Sequence, residues 1–120
     1  MSDILDLAQV VAKAALDKKA RDVVILKMDD VTIITDYFVL CTATNRTQAQ
    51  AIAGNIEHEM KDRDLKVLSR EGLREATWIL LDYGSVVIHI FQEDMRRFYD
   101  LETLWGDATK IEVETELIDF

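Results

Sequence analysis

The chain has 120 residues, 49% of them hydrophobic, so it has enough apolar residues for one domain with a single core. Its formal net charge of −9 argues against direct binding of a nucleic-acid backbone, since phosphate contacts need clustered Lys and Arg, and favours a basic protein surface. The single cysteine excludes an intramolecular disulfide and a cysteine-based zinc site, and no apolar run approaches the roughly 20 residues that cross a bilayer.

The N-terminal region predicts a helix followed by an inner strand. Met1-Ser2-Asp3 lacks the basic residues of a signal peptide, so together with the lone cysteine it predicts a cytoplasmic location. In residues 3–19 apolar side chains recur every three or four positions, which is the spacing of an amphipathic helix. Residues 23–26 are a continuous aliphatic run, typical of a strand buried on both faces.

A second strand and a second helix are predicted over residues 36–63. Residues 36–43 repeat the apolar pattern and end where Asn45 can cap a helix, with Gln48 three positions on as in a capping box. One side of that helix is apolar as far as about Arg63. Glu57 and Lys61 can form an ion pair across one turn of its solvated side.

A β-hairpin is predicted in the middle of the second half of the chain. A short strand near residues 65–70 and a polar turn at Glu71-Gly72 come before it. The hairpin itself consists of the apolar runs 77–82 and 85–91, separated by Tyr83-Gly84. Two residues that include a glycine between two such runs indicate a tight turn.

The C-terminal region predicts one more helix and then an acidic tail. Glu93 and Asp94 open the helix, which we expect to end at Gly106. Its apolar residues recur on one side: Met95, Phe98, Leu101 and Trp105. From Ile111 to Leu117 apolar and acidic residues alternate, which fits an edge strand or an extended arm, while the acidity also fits disorder. Both alternatives stay open.

With Tyr83-Gly84 as the loop, the alternation of side chains along a strand divides the hairpin into two faces. One face is almost purely aliphatic and belongs in the core: Thr77, Ile79, Leu81, Val86, Ile88 and Ile90. The other face is mixed: Trp78, Leu80, Asp82, Ser85, Val87 and His89. An indole, an imidazole, a carboxylate and aliphatic groups together are typical of a protein contact patch with a desolvated centre.

Two alternatives to a contact patch remain open at this point. Trp78 can instead pack under a helix, with His89 hydrogen-bonded to a backbone carbonyl, because Trp is highly buried on average with or without a partner. A register slip of one residue would also exchange the two faces.

Residues that could carry catalysis or bind a metal do not form a recognisable arrangement. Ser85 and His89 lie four positions apart on one strand, about 13 Å, so the hydroxyl cannot reach the imidazole. Asp62 and Asp64 resemble a metal-binding pair but lie at the polar end of a helix without a phosphate loop. Cys41 lies within an apolar strand and is expected to be a core thiol. We therefore predict no catalytic residue, metal or cofactor.

Two groups of residues resemble the ribosomal silencing factor family, also called Iojap-like. The first is the strand Ile34-Thr35-Asp36-Tyr37-Phe38-Val39-Leu40-Cys41-Thr42-Ala43-Thr44. The second is the spaced set Glu71-Gly72, Trp78, Asp82-Tyr83-Gly84-Ser85-Val86-Val87-Ile88-His89, Tyr99, Leu101-Glu102 and Leu104-Trp105. The resemblance covers about residues 3–106. We take residues 1–106 as the domain and residues 107–120 as an acidic C-terminal extension.

The resemblance implies an α/β (α+β) fold with a mixed sheet of about five strands flanked by helices, similar to a nucleotidyltransferase without its catalytic residues. It implies a factor that binds the large ribosomal subunit through its fourteenth ribosomal protein and blocks joining of the small subunit. Translation would then fall when nutrients are limiting. The partner-binding residues that it implies are Trp78, Leu80, Asp82, Tyr83, His89, Arg97, Tyr99 and Leu101.

Two other functions are compatible with the sequence. A nucleotidyltransferase-like enzyme would bind a nucleotide and Mg²⁺ with carboxylates such as Asp62, Asp64 or Asp82. A self-associating protein would form a homodimer through the same apolar face, and a homodimer of the free protein is also compatible with ribosome binding.

Overall fold

A mixed β-sheet with helices on both faces organises residues 3–114, the part of the chain that the computed structural model describes. In chain order the elements are α1 (Asp3–Asp17), β1 (Arg21–Lys27), β2 (Tyr37–Ala43), α2 (Arg46–Lys61), β3 (Ser69–Glu71), β4 (Trp78–Asp82), β5 (Val86–Gln92), α3 (Glu93–Tyr99), α4 (Leu101–Leu104) and β6 (Thr109–Ile111). The predicted mixed α+β class is confirmed. No helix in this part of the chain is long and apolar enough to cross a membrane.

The sheet has six strands in the order β3-β4-β5-β2-β1-β6, one more than the five or so that were expected. The central pair, β2 and β5, is parallel, and every other neighbouring pair is antiparallel. The parallel pair lies in the middle of the sheet, where helices on both sides can cover it. The additional strand is β6, which pairs with β1 at the sheet edge.

Helices α1 and α2 cover one face of the sheet and bury the larger core with it. Alternate residues of β1, β2, β4 and β5 point into this core, as the period of two requires. Cys41 is one of them, and burial raises the pKa of its thiol to about 12. The prediction of a core thiol is therefore confirmed, because a thiol with that pKa stays protonated and unreactive near neutral pH.

The start of α2 follows the sequence pattern with one change of partner. Asn45 caps the helix, and its Oδ1 accepts a hydrogen bond of 2.8 Å from the Gln48 amide. In a capping box the Gln48 side chain would bond the amide of the cap residue. Here its Oε1 instead accepts a 2.7 Å bond from the amide of Thr44. The cap prediction is confirmed and the capping-box detail is wrong by one residue.

The other end of α2 also differs from the sequence-based prediction. The helix ends at Lys61, two residues before Arg63. The predicted ion pair between Glu57 and Lys61 does not form, because both carboxylate oxygens of Glu57 accept from Arg70, each at 2.9 Å. The planar guanidinium of Arg70 offers a bidentate geometry that an ammonium cannot match.

The predicted helix over residues 93–105 is two helices, α3 and α4, separated at Asp100. Asp100 lies in the left-handed region with φ 45° and ψ 58°, which ends α3. The break rotates the two halves relative to each other, so the expected apolar side is not continuous. Phe98 is 76% exposed while Leu101 is buried, and the prediction of one shared side is wrong for Phe98.

The acidic extension begins as an ordered edge strand, β6. Beyond it the Gln9 side chain donates to the Glu112 carbonyl and accepts from the Glu114 amide, both at 2.9 Å, which holds the extension against α1. The remainder of the predicted alternating segment, residues 115–117, lies outside the described residues. The domain division at residue 106 stays a prediction.

Candidate functional site

The hairpin of β4 and β5 forms as predicted, but its register is shifted by two residues. Tyr83 donates a 2.9 Å backbone bond to the carbonyl of Val86, so the two-residue loop is Gly84-Ser85 and not Tyr83-Gly84. Gly84 adopts φ +84°, the left-handed region that tight hairpin turns use at glycine. Trp78 therefore faces Phe91, and Leu80 faces His89.

The division into two faces survives, because a shift of two residues keeps each side chain on its own side of the sheet. Ile79, Leu81, Val86, Ile88 and Ile90 are all fully buried against α1 and α2, which confirms the core face. Thr77 precedes β4 and is exposed, so its place in the core was wrong. On the other side of the sheet, Ser85 belongs to the loop and not to the mixed face, and Phe91 is added to that face.

We call the second side of the hairpin the hairpin face. It consists of Trp78, Leu80, Asp82, Val87, His89 and Phe91. Helices α3 and α4 cover only one part of it, where Phe91 and Leu101 belong to a smaller buried cluster. The side chains of Trp78, Leu80 and Asp82 remain half-buried. The sheet is thus shielded by long helices on one side and left partly open on the other.

Trp78 and His89 are joined by a hydrogen bond within the hairpin face. The indole Nε1–H donates to His89 Nδ1 at 3.1 Å, so the neutral imidazole carries its proton on Nε2. His89 is only 4% exposed, and its Nε2 is buried without a hydrogen-bond partner in residues 3–114. Burial lowers the pKa of His89 to about 4. The partner of His89 is therefore Trp78 and not the backbone carbonyl considered from the sequence.

Aromatic rings fix both members of this pair. Trp78 stacks on Phe91 with ring centroids 5.0 Å apart and contacts Tyr99 of α3 at 4.5 Å. Phe38 of β2 packs edge-on against His89 at 4.6 Å. Offset and edge-on ring pairs at these distances are favourable. Trp78 is accordingly held in one orientation, while its side chain remains half-buried.

The predicted partner-binding residues do not all lie on this surface. The structure brings together Trp78, Leu80, Asp82 and Tyr99. Tyr83 packs against the core on the side of α2 instead, since it is the next residue after Asp82 and points to the opposite face. This placement separates Tyr83 from the hairpin face.

The other predicted residues are buried or lie beside the hairpin face. His89 belongs to this face but is buried, and Leu101 is buried where α4 covers part of it. Arg97 is exposed on α3 and pairs with Glu93 and Asp94 of its own helix at 3.2 and 3.1 Å. Direct contact of these residues with a partner stays a prediction.

Arg96 is a structural residue that the sequence pattern did not reveal. Its side chain is 10% exposed and donates to the Asp22 carbonyl at 2.6 Å, to Thr42 Oγ1 at 2.8 Å and to Glu102 at 3.0 Å. It therefore ties α3 to the ends of β1 and β2 and to α4. Its sheet partners lie more than fifty positions away, so no local spacing could have indicated them.

Two of the three carboxylates considered for a magnesium site, Asp62 and Asp82, make other contacts. Asp62 lies 3.7 Å from His58 at the end of α2, and Asp82 accepts a 2.7 Å bond from the Gly84 amide in the hairpin turn. Within residues 3–114 no three His, Cys, Asp or Glu side chains converge in a metal-binding group.

Comparison with known proteins gives consistent relatives over nearly the whole chain. Residues 1–119 match the family described as ribosomal silencing factor during starvation. The ribosomal silencing factor RsfS of Halalkalibacterium halodurans is 39% identical over 109 residues, which are 91% of this chain and 93% of that protein. RsfS of Bacillus subtilis is 40% identical over 102 residues, 85% and 86% of the two chains. A crystal structure of a Chromobacterium violaceum protein superposes with a TM-score of 0.85 at 26% identity, covering 94% and 93%.

Proposed function

The chain belongs to the ribosomal silencing factor family, and we propose that it silences ribosomes by docking its hairpin face on the large subunit. The docking partner is the fourteenth protein of that subunit. Once bound, the protein occupies space that the small subunit needs, so the subunits do not join and translation falls when nutrients are limiting. The action is steric, requires no catalysis and takes place in the cytoplasm.

The observation that carries this proposal is the partly open hairpin face. Trp78 is half-buried at the end of this face where β4 begins, already oriented by His89, Phe91 and Tyr99. A pre-oriented aromatic anchor loses little conformational freedom on binding and is typical of an interface hot spot. Phe98 is 76% exposed and packs at 5.0 Å on Tyr99, which extends the apolar surface beyond Trp78. Exposed apolar groups that adjoin such an anchor mark a protein contact site.

The charge of the chain supports a basic protein partner. The formal net charge is −9, and Asp82 contributes a half-buried carboxylate to the hairpin face itself. Opposite charges on two proteins accelerate their encounter and select the correct partner. We therefore expect the association rate to fall steeply with added salt, because dissolved ions screen the attraction between the two proteins beyond roughly 10 Å at 0.1 M salt.

Phe98→Lys tests the docking surface, and Leu68→Lys is its matched control. The two side chains are 76% and 70% exposed, but the register of β3 with β4 places Leu68 on the opposite side of the sheet. A lysine at position 98 would lie on the docking surface and repel a basic partner. Co-sedimentation with separated large subunits should weaken by about tenfold or more for Phe98→Lys and stay unchanged for Leu68→Lys.

Two further measurements complete this test. Far-UV circular dichroism establishes that both variants keep their fold. A gradient assay in which purified subunits are mixed should show free subunits with the wild type and joined ribosomes with Phe98→Lys. Equal binding of both variants to the large subunit would refute docking through the hairpin face, and normal joining with bound wild type would refute the steric block.

A second copy of the chain covers the same face when the protein is free, which makes homodimerisation and ribosome binding exclusive. The same exposed apolar side chains support this proposal, since an uncovered apolar patch favours self-association. Light scattering should detect the dimer for the wild type and a monomer for Phe98→Lys. Addition of the isolated ribosomal protein should replace the dimer by a complex of one copy of each.

A further inference from the structure

A cleft lies on the side of the sheet opposite the hairpin face, between the last turns of α2 and the segment that follows this helix. Gly54, Glu57, His58 and Lys61 line one wall of this cleft. They occupy positions i, i+3, i+4 and i+7 and so share one side of α2. The cleft has a volume of about 510 Å³, within the range of roughly 300–1,000 Å³ found for small-molecule sites.

The cleft is positively charged on a strongly acidic protein. Three cations, Lys61, Lys66 and Arg70, line it together with one carboxylate, Glu57, which leaves a local charge of +2 with His58 neutral. Arg70 and Glu57 bind each other in a bidentate pair at 2.9 Å. Glu57 is taken by Arg70, and among residues 3–114 the ammonium groups of Lys61 and Lys66 form no ion pair. Two unpaired cations at one cleft of a chain with net charge −9 create a local site for an anion.

The remaining walls of the cleft are apolar or neutral. Leu65 and Val67 line the returning segment, and both pack against the main core. Tyr83 closes the cleft at the hairpin end, where burial raises the pKa of its phenol to about 12, so the hydroxyl remains a hydrogen-bond donor. Pockets that bind metabolites combine such apolar walls with a few polar groups that fix the orientation of the ligand.

We propose that this cleft binds a small molecule that carries a phosphomonoester on an apolar or aromatic body. Lys61 and Lys66 bind the phosphate, whose two negative charges match the local charge of +2. The body of the ligand packs on Leu65, Val67 and the ring of Tyr83. A nucleic-acid strand fits less well, because the acidic surface around the cleft repels its further phosphates.

Phenyl phosphate is a suitable probe at pH 7.5 and constant ionic strength, with backbone amide shifts in nuclear magnetic resonance as the readout. Benzyl alcohol supplies the ring without the charge, and inorganic phosphate supplies the charge without the ring. We expect phenyl phosphate to shift amides of residues 54–70 and of Tyr83 and to bind at least tenfold more tightly than either reference compound. No saturable shift at millimolar phenyl phosphate, or equal binding of benzyl alcohol or inorganic phosphate, would overturn the proposal.

Two variants and one control locate the binding. Lys61→Gln/Lys66→Gln removes the unpaired cations, and we expect it to weaken phenyl phosphate at least tenfold. Gly54→Leu fills the cleft with a side chain whose Cβ meets nothing within 4 Å, so it should block binding while the fold persists. Lys18→Gln removes one charge from an exposed position outside the cleft and should leave the affinity unchanged. A similar loss in Lys18→Gln would indicate unspecific attraction and refute a specific site.

The assay uses the isolated chain without ribosomes. Failure of phosphate binding would therefore leave the docking proposal intact, and failure of docking would leave the phosphate site intact.

Discussion

Acidification below about pH 6.5 should destabilise this protein through His89. The imidazole is buried, accepts the Trp78 indole N–H at Nδ1 and has a pKa of about 4, below the value of 6.5 for an unperturbed histidine. The unfolded chain therefore binds a proton more readily than the folded chain. Stability is lost as pH falls from about 6.5 and reaches its full loss near pH 4.

The size of the effect follows from the difference between the two pKa values. A lowering from 6.5 to about 4 corresponds to roughly 3 kcal/mol of unfolding free energy once the pH is below both values. Between pH 7 and pH 5 the same linkage amounts to about 2 kcal/mol. Because His89 is only 4% exposed, solvent screens this effect very little.

Urea unfolding at pH 7 and pH 5, followed by far-UV circular dichroism, measures this loss. His89→Gln cannot titrate in this range, so its stability should change between the two pH values by about 2 kcal/mol less than that of the wild type. His58→Gln is the matched control, since His58 is exposed and lies at 3.7 Å from Asp62. The reasoning is refuted if the wild type and His89→Gln lose the same stability, or if His58→Gln removes the pH dependence instead.

Three further predictions concern Arg96, Gly72 and Cys41, and each is compared with a control variant or a control condition. Arg96→Ala should lower the unfolding free energy by about 2–4 kcal/mol, because it removes a nearly buried charge and leaves Glu102 unpaired. Arg97 forms an exposed ion pair, so Arg97→Ala should change the unfolding free energy by less than about 0.5 kcal/mol in the same urea titration. Gly72→Ala should lower the unfolding free energy by about 2 kcal/mol or more, because φ is +79° and a Cβ would lie 2.1 Å from the Trp78 carbonyl oxygen. Gly54→Ala in α2 should raise the unfolding free energy by up to about 1 kcal/mol. Equal effects of the two substitutions would contradict this prediction. Cys41 should react with a thiol reagent at pH 8 about a hundredfold more slowly in the folded protein than in urea, and rapid native labelling would show that the thiol is accessible.

Local patterns were enough to predict most of the elements and the two sides of the hairpin. The aliphatic run of β5 and the alternation in β4 assign each side chain to a face by a period of two. That assignment tolerated a register error of two residues, because an even shift leaves each side chain on its own face. Asn45 was predicted correctly for a similar reason, since a helix cap depends on groups within three residues of it.

Two of the errors involve a partner on another element or a single backbone angle. Glu57 pairs with Arg70 across the cleft and not with Lys61 one turn away, because the fold brings the better hydrogen-bond geometry within reach. Asp100 breaks the last helix through one left-handed residue, which turns Phe98 to the surface. Neither could be inferred from spacing along one element.

For the candidate site, the sequence by itself determined five of the six side chains that share the hairpin face, and it determined that the chain resembles ribosomal silencing factors. Only the tertiary structure decided how much of that face is accessible. The short helices α3 and α4 leave Trp78 half-buried, while His89 and Leu101 are buried. Tyr83 instead points to the other side of the sheet, into the cleft beside α2. The physical reason is that alternation along a strand is a local property, whereas burial depends on where distant helices pack against the finished sheet.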